Sequence, residues 1–168
     1  IASGEITLEA LFDEQYKPIP GTNPQQVTTR FTSFTDRVLP AIQERILTSS
    51  SRISFCAAVD RNGYLPTHNL AYSKPQGGDP VWNAANARNR RIFNDRTGLR
   101  AGRNTQPFLL QTYRRDMGGG RHALMKDISA PIYVCGSALG RFSHGREALS
   151  SIGTALQLLI DVLIPESP

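Results

Sequence analysis

The chain has 168 residues, 39% of them hydrophobic and 20% charged, with a net charge of +5. That length suits one domain with a real core, and the composition is ordinary for a soluble globular protein. No apolar run is long enough to span a bilayer, because the most apolar stretch, Ile152 to Ile164, is short and broken by Gln157 and Asp161.

The chain begins at Ile1, without an initiator Met and without a signal peptide, so we expect a piece excised from a longer protein. Residues 1–12 predict a short helical entry with Ile6, Leu8, Leu11 and Phe12 apolar. Three prolines and a glycine between Lys17 and Pro24 break it. Gln25 to Leu47 predicts a long helix, with Val27, Phe31, Phe34, Val38, Ala41 and Ile42 at spacings of three and four, kinked or split at Pro40. The apolar run Ile53–Val59 predicts a strand. Asp60-Arg61-Asn62-Gly63 then turns it into a second extended segment ending at His68-Asn69, since Asn-Gly tolerates the positive φ of a tight turn. After a Gly- and Pro-rich loop, Asp79 caps a helix that opens at Pro80 and is expected to run to Asp95. On that helix Trp82, Ala85, Asn86, Asn89, Ile92 and Phe93 share one face, Arg88 and Arg91 take the outer face, and Arg90 the flank. A strand follows from Pro107 to Asp116, then a hairpin loop at Gly118–Gly120, a return strand from His122 to Ser129, and a last strand from Ile132 beyond the bend at Pro131. Leu149, Ile152, Leu156, Leu159, Ile160 and Leu163 suggest an amphipathic C-terminal helix.

These elements predict an α+β domain: an antiparallel sheet of five strands with flanking helices, one of them inserted between the second and third strands. The expected units are an entry segment over 1–24, a sensor-like domain over 25–147 and a C-terminal helix over 148–168.

Several segments together carry a family resemblance. They are the D-x-N-G turn ending in His68-Asn69, Asn89-Arg90-Arg91-Ile92-Phe93, Arg103-Asn104-Thr105-Gln106-Pro107-Phe108, Gln111–Gly120 and Met125–Ile132. Between Gly4 and Pro131 the chain resembles the PAS/Cache-like sensory module found C-terminal to the signalling coiled coil of some bacterial methyl-accepting chemotaxis proteins. After Val134 the likeness fades. Where the family has Gly-Arg-His-Trp-Gly, this chain has Gly136-Ser137-Ala138-Leu139-Gly140, so any role of those side chains does not carry over. The resemblance implies a PAS/Cache-like fold, ligand sensing, a cytoplasmic module and a homodimer attached to the parent receptor's signalling coiled coil. It also implies a ligand in the groove between the inserted helix and the sheet.

The residues support that groove with alternatives open. Asn86 and Asn89 share a face with Trp82, so as buried amides they either satisfy backbone groups or line a polar cavity. Gln111, Tyr113 and Arg115 alternate onto one strand face. Lys126 pairs with Asp116, with Asp127 or with a bound anion. We therefore expect a small anion or carboxylate held by Trp82, Asn86, Asn89, Arg90, Arg103, Tyr113, Lys126 and His68. Two other readings stand beside it. Six arginines against one acid, Asp95, between Arg88 and Arg103 could form a nucleic-acid surface. His68 could be a haem ligand in a redox or gas sensor, although His68, His122 and His144 show no metal-ligand spacing. No resident cofactor or metal is expected. Cys56 and Cys135 read as small core hydrophobes, which suits a reducing compartment. No hydrolase triad, nucleophile elbow or phosphate-binding loop is present, so the expectation is not an enzyme.

Overall fold

The computed structural model describes residues 4–117, 119–134 and 156–163. Expectations for Cys135, Gly136–Gly140 and His144 lie outside the described residues, as does most of the C-terminal segment.

The entry helix shrinks to one turn, α1 (Leu8–Leu11), capped where the Thr7 hydroxyl accepts from the Ala10 N–H at 3.2 Å. β1 (Lys17–Pro18) and β2 (Val27–Thr28) form a small antiparallel ribbon. α2 (Thr32–Thr48) is seven residues shorter at its start than its periodicity suggested, and it continues through Pro40. The expected helix from Gln25 fails because that segment has better partners elsewhere. The Val27 N–H donates to the Arg90 carbonyl at 2.7 Å, and the Val27 carbonyl accepts from the Tyr64 hydroxyl at 3.2 Å.

β3 (Ile53–Val59) leads through the Asp-Arg-Asn-Gly turn into β4 (Tyr64–Leu65). The turn is built as its residues demand. Asp60 Oδ1 accepts from the N–H groups of Asn62 and Tyr64 at 2.8 and 2.9 Å, and Gly63 takes φ +82°. The Tyr16 hydroxyl donates to Asp60 Oδ2 at 2.6 Å, so the motif also ties down the entry segment. A single 3₁₀ turn at Leu70–Tyr72 precedes α3 (Pro80–Asn86), whose N-cap is Asp79. β5 (Arg91–Ile92), α4 (Arg96–Gly102), β6 (Leu109–Asp116), β7 (His122–Ile132) and β8 (Leu156–Leu163) follow.

The five-stranded sheet of the PAS/Cache-like expectation is not formed by the described residues, and neither is a long helix at the N-terminus. The main sheet has four antiparallel strands in the order β3-β8-β7-β6, while β4 pairs with β5 in a separate two-stranded ribbon. The expected C-terminal helix is likewise corrected. Residues 156–163 are a strand hydrogen-bonded on both sides, to β3 and to β7. A short run of apolar residues fits a buried strand as readily as a helix, and two open edges decide the matter here. The boundaries expected at 24/25 and 147/148 separate strands that pair, β1 from β2 and β7 from β8.

The inserted helix is also shorter than predicted. It ends at Asn86, where the Lys74 N–H takes the Asn86 carbonyl and the Arg88 N–H takes that of Tyr72. Residues 87–95 therefore run outside the helix, turning at Asn89–Arg90, where Arg90 takes φ 60°, before the short strand at Arg91–Ile92.

Strand alternation assigns the two faces of β3. Ala58 packs with Leu39 of α2 on one side. Phe55, Ala57 and Val59 pack with Leu65 and Ala101 on the other, with Tyr72 and Phe93 against them. A third cluster of Ile6, Leu11, Val27, Phe31 and Tyr64 closes the end of the domain near the entry segment.

Candidate functional site

Between the 87–98 segment and the sheet lies a cavity of about 530 Å³. That is within the roughly 300–1,000 Å³ typical of small-molecule sites. β3 and β4 supply Phe55, Val59 and Leu65 to it, and the loop after β4 supplies His68. Arg88, Arg91 and Phe93 come from the segment after α3, and residues 95–98 from the start of α4. Ala84 of α3, Tyr113 to Asp116 of β6 and Asp127 of β7 complete the lining.

The inward face of β6 is set by alternation: Gln111, Tyr113 and Arg115 are less exposed than Leu110, Thr112 and Arg114. Arg115 is the extreme case, 4% exposed. Its guanidinium stacks over Phe55 at 4.5 Å and over Tyr72 at 4.8 Å from the ring centroids. Its Nε is buried without a hydrogen-bond partner, and no described carboxylate pairs with it. A buried cation held mainly by ring faces is unusual, since such charges are normally paired.

Arg88 and Arg91 form a second basic feature. Both donate from Nη1 to one acceptor, the Ala84 carbonyl, at 3.1 and 3.2 Å. Both guanidiniums also lie 5.0 Å from the Phe93 ring centroid. The outer-face placement expected for these two arginines is thus corrected: the helix that would have turned them outward has already ended. Phe93 is positioned by backbone crowding. Its N–H donates to the Gly63 carbonyl at 2.8 Å, and a Cβ on Gly63 or Gly98 would sit 2.3 or 2.2 Å from its carbonyl oxygen.

The aspartates of the lining have other duties. Asp95 caps α4, accepting from the Thr97 and Gly98 N–H groups. Asp127 accepts from Gln111 Nε2 at 3.1 Å. Burial lowers the Arg91 pKa, and the negative field of Asp116 acts against that shift. Five arginines thus face three aspartates around the cavity.

His68 is 1% exposed, with its ring 4.9 Å from those of both Phe55 and Tyr72. Burial holds its pKa well below the usual histidine range, and the positive fields of Arg88 and Arg115 add to the effect. It is therefore neutral. Its Nδ1 accepts from the Asn69 N–H at 2.7 Å, which leaves the proton on Nε2. Iron ligation through Nε2 would need the opposite tautomer. No group of three or more His, Cys, Asp or Glu among the described residues could hold a metal ion. Burial raises the Cys56 thiol to about 12, so it stays protonated.

Of the eight residues expected at the site, Tyr113 and His68 line the cavity, and the others lie elsewhere. Trp82 is 44% exposed, and Asn86 donates back to its carbonyl at 2.9 Å within α3. Asn89 is buried, but it serves structure: its Oδ1 and its carbonyl both accept from Gln26 Nε2. Arg90 pairs with Asp36 at 2.7 Å. Arg103 is exposed and reaches the Arg61 carbonyl. Lys126 is exposed on the opposite face of β7 from Asp127. Sequence reasoning missed Arg88, Arg91 and Arg115. For Arg115 the signal was present, since it alternates with Gln111 and Tyr113. The same geometry divides the basic cluster between Arg88 and Arg103: Arg88, Arg91 and the exposed Arg96 line the cavity, Arg90 is ion-paired, and Arg100 and Arg103 are exposed away from it.

No helix of the described residues is long and apolar enough to cross a membrane. Comparison with protein-family models, with curated proteins and with solved structures gives no match to this chain.

Proposed function

We propose that this domain is a small-ligand sensing module that binds an anion, a carboxylate above all, in the cavity between the 87–98 segment and the sheet, and that it acts by binding rather than by chemistry. The observation that carries the reading is Arg115, a buried guanidinium stacked on Phe55 and Tyr72 with no carboxylate partner among the described residues. Arginine is suited to planar, bidentate recognition of carboxylates. The motif resemblance to the sensory modules of bacterial chemotaxis receptors supports a signalling role. In that role the ligand would bias an attached coiled coil by a population shift.

Native mass spectrometry of the purified chain, followed by calorimetric titration of any anion released, tests the proposal. Arg115→Met should abolish binding of that anion, and Lys126→Ala and Arg103→Ala should leave its affinity within about twofold, an effect below roughly 0.5 kcal/mol. Binding that survives Arg115→Met but is lost in Lys126→Ala would refute the assignment.

A further inference from the structure

Arg115 and His68 line the same cavity and share one pair of aromatic neighbours. The Phe55 and Tyr72 ring centres lie 6.3 Å apart. The Arg115 guanidinium carbon is 4.5 and 4.8 Å from them, and the His68 ring centre is 4.9 Å from each. Triangulated from those distances, the guanidinium carbon is no more than about 7 Å from the imidazole centre. Of the Arg115 nitrogens only Nε is sealed in protein without a partner, so Nη1 and Nη2 are left to meet a carboxylate end-on. His68 is fixed at two points. Its backbone carbonyl accepts from the Ser73 hydroxyl at 3.0 Å, and its Nδ1 accepts from the Asn69 N–H at 2.7 Å. Asn69 is itself held, its Oδ1 accepting from the Cys56 N–H and its Nδ2 donating to Glu44. With Nδ1 occupied as an acceptor, the proton is on Nε2, and no hydrogen bond among the described residues uses it. A fixed N–H on a side chain only 1% exposed gains from an acceptor brought in by a ligand. A simple carboxylate on Arg115 leaves that donor unused, whereas an oxygen on the carbon beside the carboxylate can take it.

Resting on the reading of this cavity as a carboxylate site, we infer that His68 is its second recognition residue and that the ligand is a 2-oxo or 2-hydroxy carboxylate, with its carboxylate on Arg115 and its 2-oxygen accepting from His68 Nε2. The rest of the carbon frame lies against the apolar lining of Val59 and Leu65. A 2-amino acid does not fit this position, because its ammonium would set a donor against a donor beside the Arg115 charge. Two lining aspartates that could receive an ammonium are already engaged, Asp95 by the Thr97 and Gly98 N–H groups and Asp127 by Gln111.

The test titrates the unaltered chain with butanoate, 2-oxobutanoate, 2-hydroxybutanoate and 2-aminobutanoate. These share one carbon frame and differ only at the carbon beside the carboxylate, and no variant has to fold for the comparison. The inference expects 2-oxobutanoate or 2-hydroxybutanoate to bind at least about tenfold more tightly than butanoate, since a site built around a buried donor discriminates against an analogue without the acceptor. The tighter of the two tells whether the 2-oxygen is a carbonyl or a hydroxyl. His68→Phe keeps a ring against Phe55 and Tyr72 and removes the donor. In that variant, checked for folding by circular dichroism, the advantage should shrink to near parity while butanoate affinity stays within about twofold. Butanoate binding as tightly as both oxygenated acids, or 2-aminobutanoate binding the most tightly of the series, overturns the inference and leaves the anion-site reading standing. Saturable binding by none of the probes overturns the inference, and overturns the anion-site reading with it when native mass spectrometry also releases no anion.

Discussion

Replacing Arg115 by Met is the most discriminating perturbation of this domain, because it should raise stability while removing the anion binding proposed for the cavity. The guanidinium is 4% exposed and has no ionic partner among the described residues. Burying such a charge costs several kcal/mol even after relaxation. The two stacking contacts, at 4.5 and 4.8 Å, return up to about 2 kcal/mol each when desolvated. Methionine keeps much of the volume and retains contact with both rings without the charge. Replacing buried ionic groups by packed apolar ones is commonly neutral or stabilising by about 1–4 kcal/mol. With the stacking partly offsetting the burial, we expect a gain of about 1–2 kcal/mol, or roughly 2–8 °C in midpoint for a chain of this size. Urea denaturation at neutral pH without added anion measures the gain, and calorimetry measures the loss of binding. A loss of stability greater than about 1 kcal/mol with ligand affinity intact would show that Arg115 is a structural residue and refute the reasoning.

Three further outcomes are expected. His68 is held neutral when folded but takes a proton near pH 6.5 when unfolded, so below that pH the unfolded state binds more protons and stability falls with falling pH. His68 should contribute a slope of about 1.4 kcal/mol per pH unit between roughly pH 6.5 and its depressed folded pKa; denaturation at several pH values should show that slope in the native chain and not in His68→Gln. Gly98→Ala places a methyl group 2.2 Å from the Phe93 carbonyl oxygen and should cost about 1–3 kcal/mol while weakening anion binding. Gly77→Ala, with open space around the new carbon, should leave affinity unchanged, and equal effects from the two substitutions would contradict the packing described. Asp60→Ala removes the acceptor of the Tyr16 hydroxyl and of two backbone N–H groups and should cost about 2–4 kcal/mol in thermal or chemical unfolding. Tyr16→Phe, which leaves both backbone bonds in place, should cost less than half as much.

What could be read ahead of the structure followed from local rules. The Asp-Arg-Asn-Gly turn, the apolar strand before it and the hairpin that brings Gln111 opposite Asp127 all obey short-range chemistry, and the inward set Gln111, Tyr113 and Arg115 follows from alternation alone. What could not be read depended on distant partners. A helical wheel extended through Asp95 puts Trp82 and Asn86 on a buried face, whereas the chain leaves the helix at Asn86 for hydrogen bonds with Tyr72 and Lys74. Every side chain beyond that point is then rotated relative to the wheel, which brings Arg88 and Arg91 to the cavity instead of the outer face. Leu156 to Leu163 misled for a related reason. Apolar leucines at spacings of three and four suit a helix, and only the vacant edges of β3 and β7 show that a strand belongs there.

The position of β8 has a consequence for how the domain is made. Phe55 and Val59 stand on β3, Arg115 and Asp127 on the β6–β7 hairpin, and the two groups are joined across the sheet only by β8. Until Leu156 to Leu163 has left the ribosome, β3 and β7 each present a row of unpaired N–H and C=O groups, an invitation to pair with a neighbouring nascent chain. Closing the sheet then requires contacts between segments far apart in sequence, the kind of step that folds slowly. The cavity is therefore a late product of synthesis. Shortening the chain before Leu156 should release a species that has both walls of the site but no continuous sheet to hold them in register.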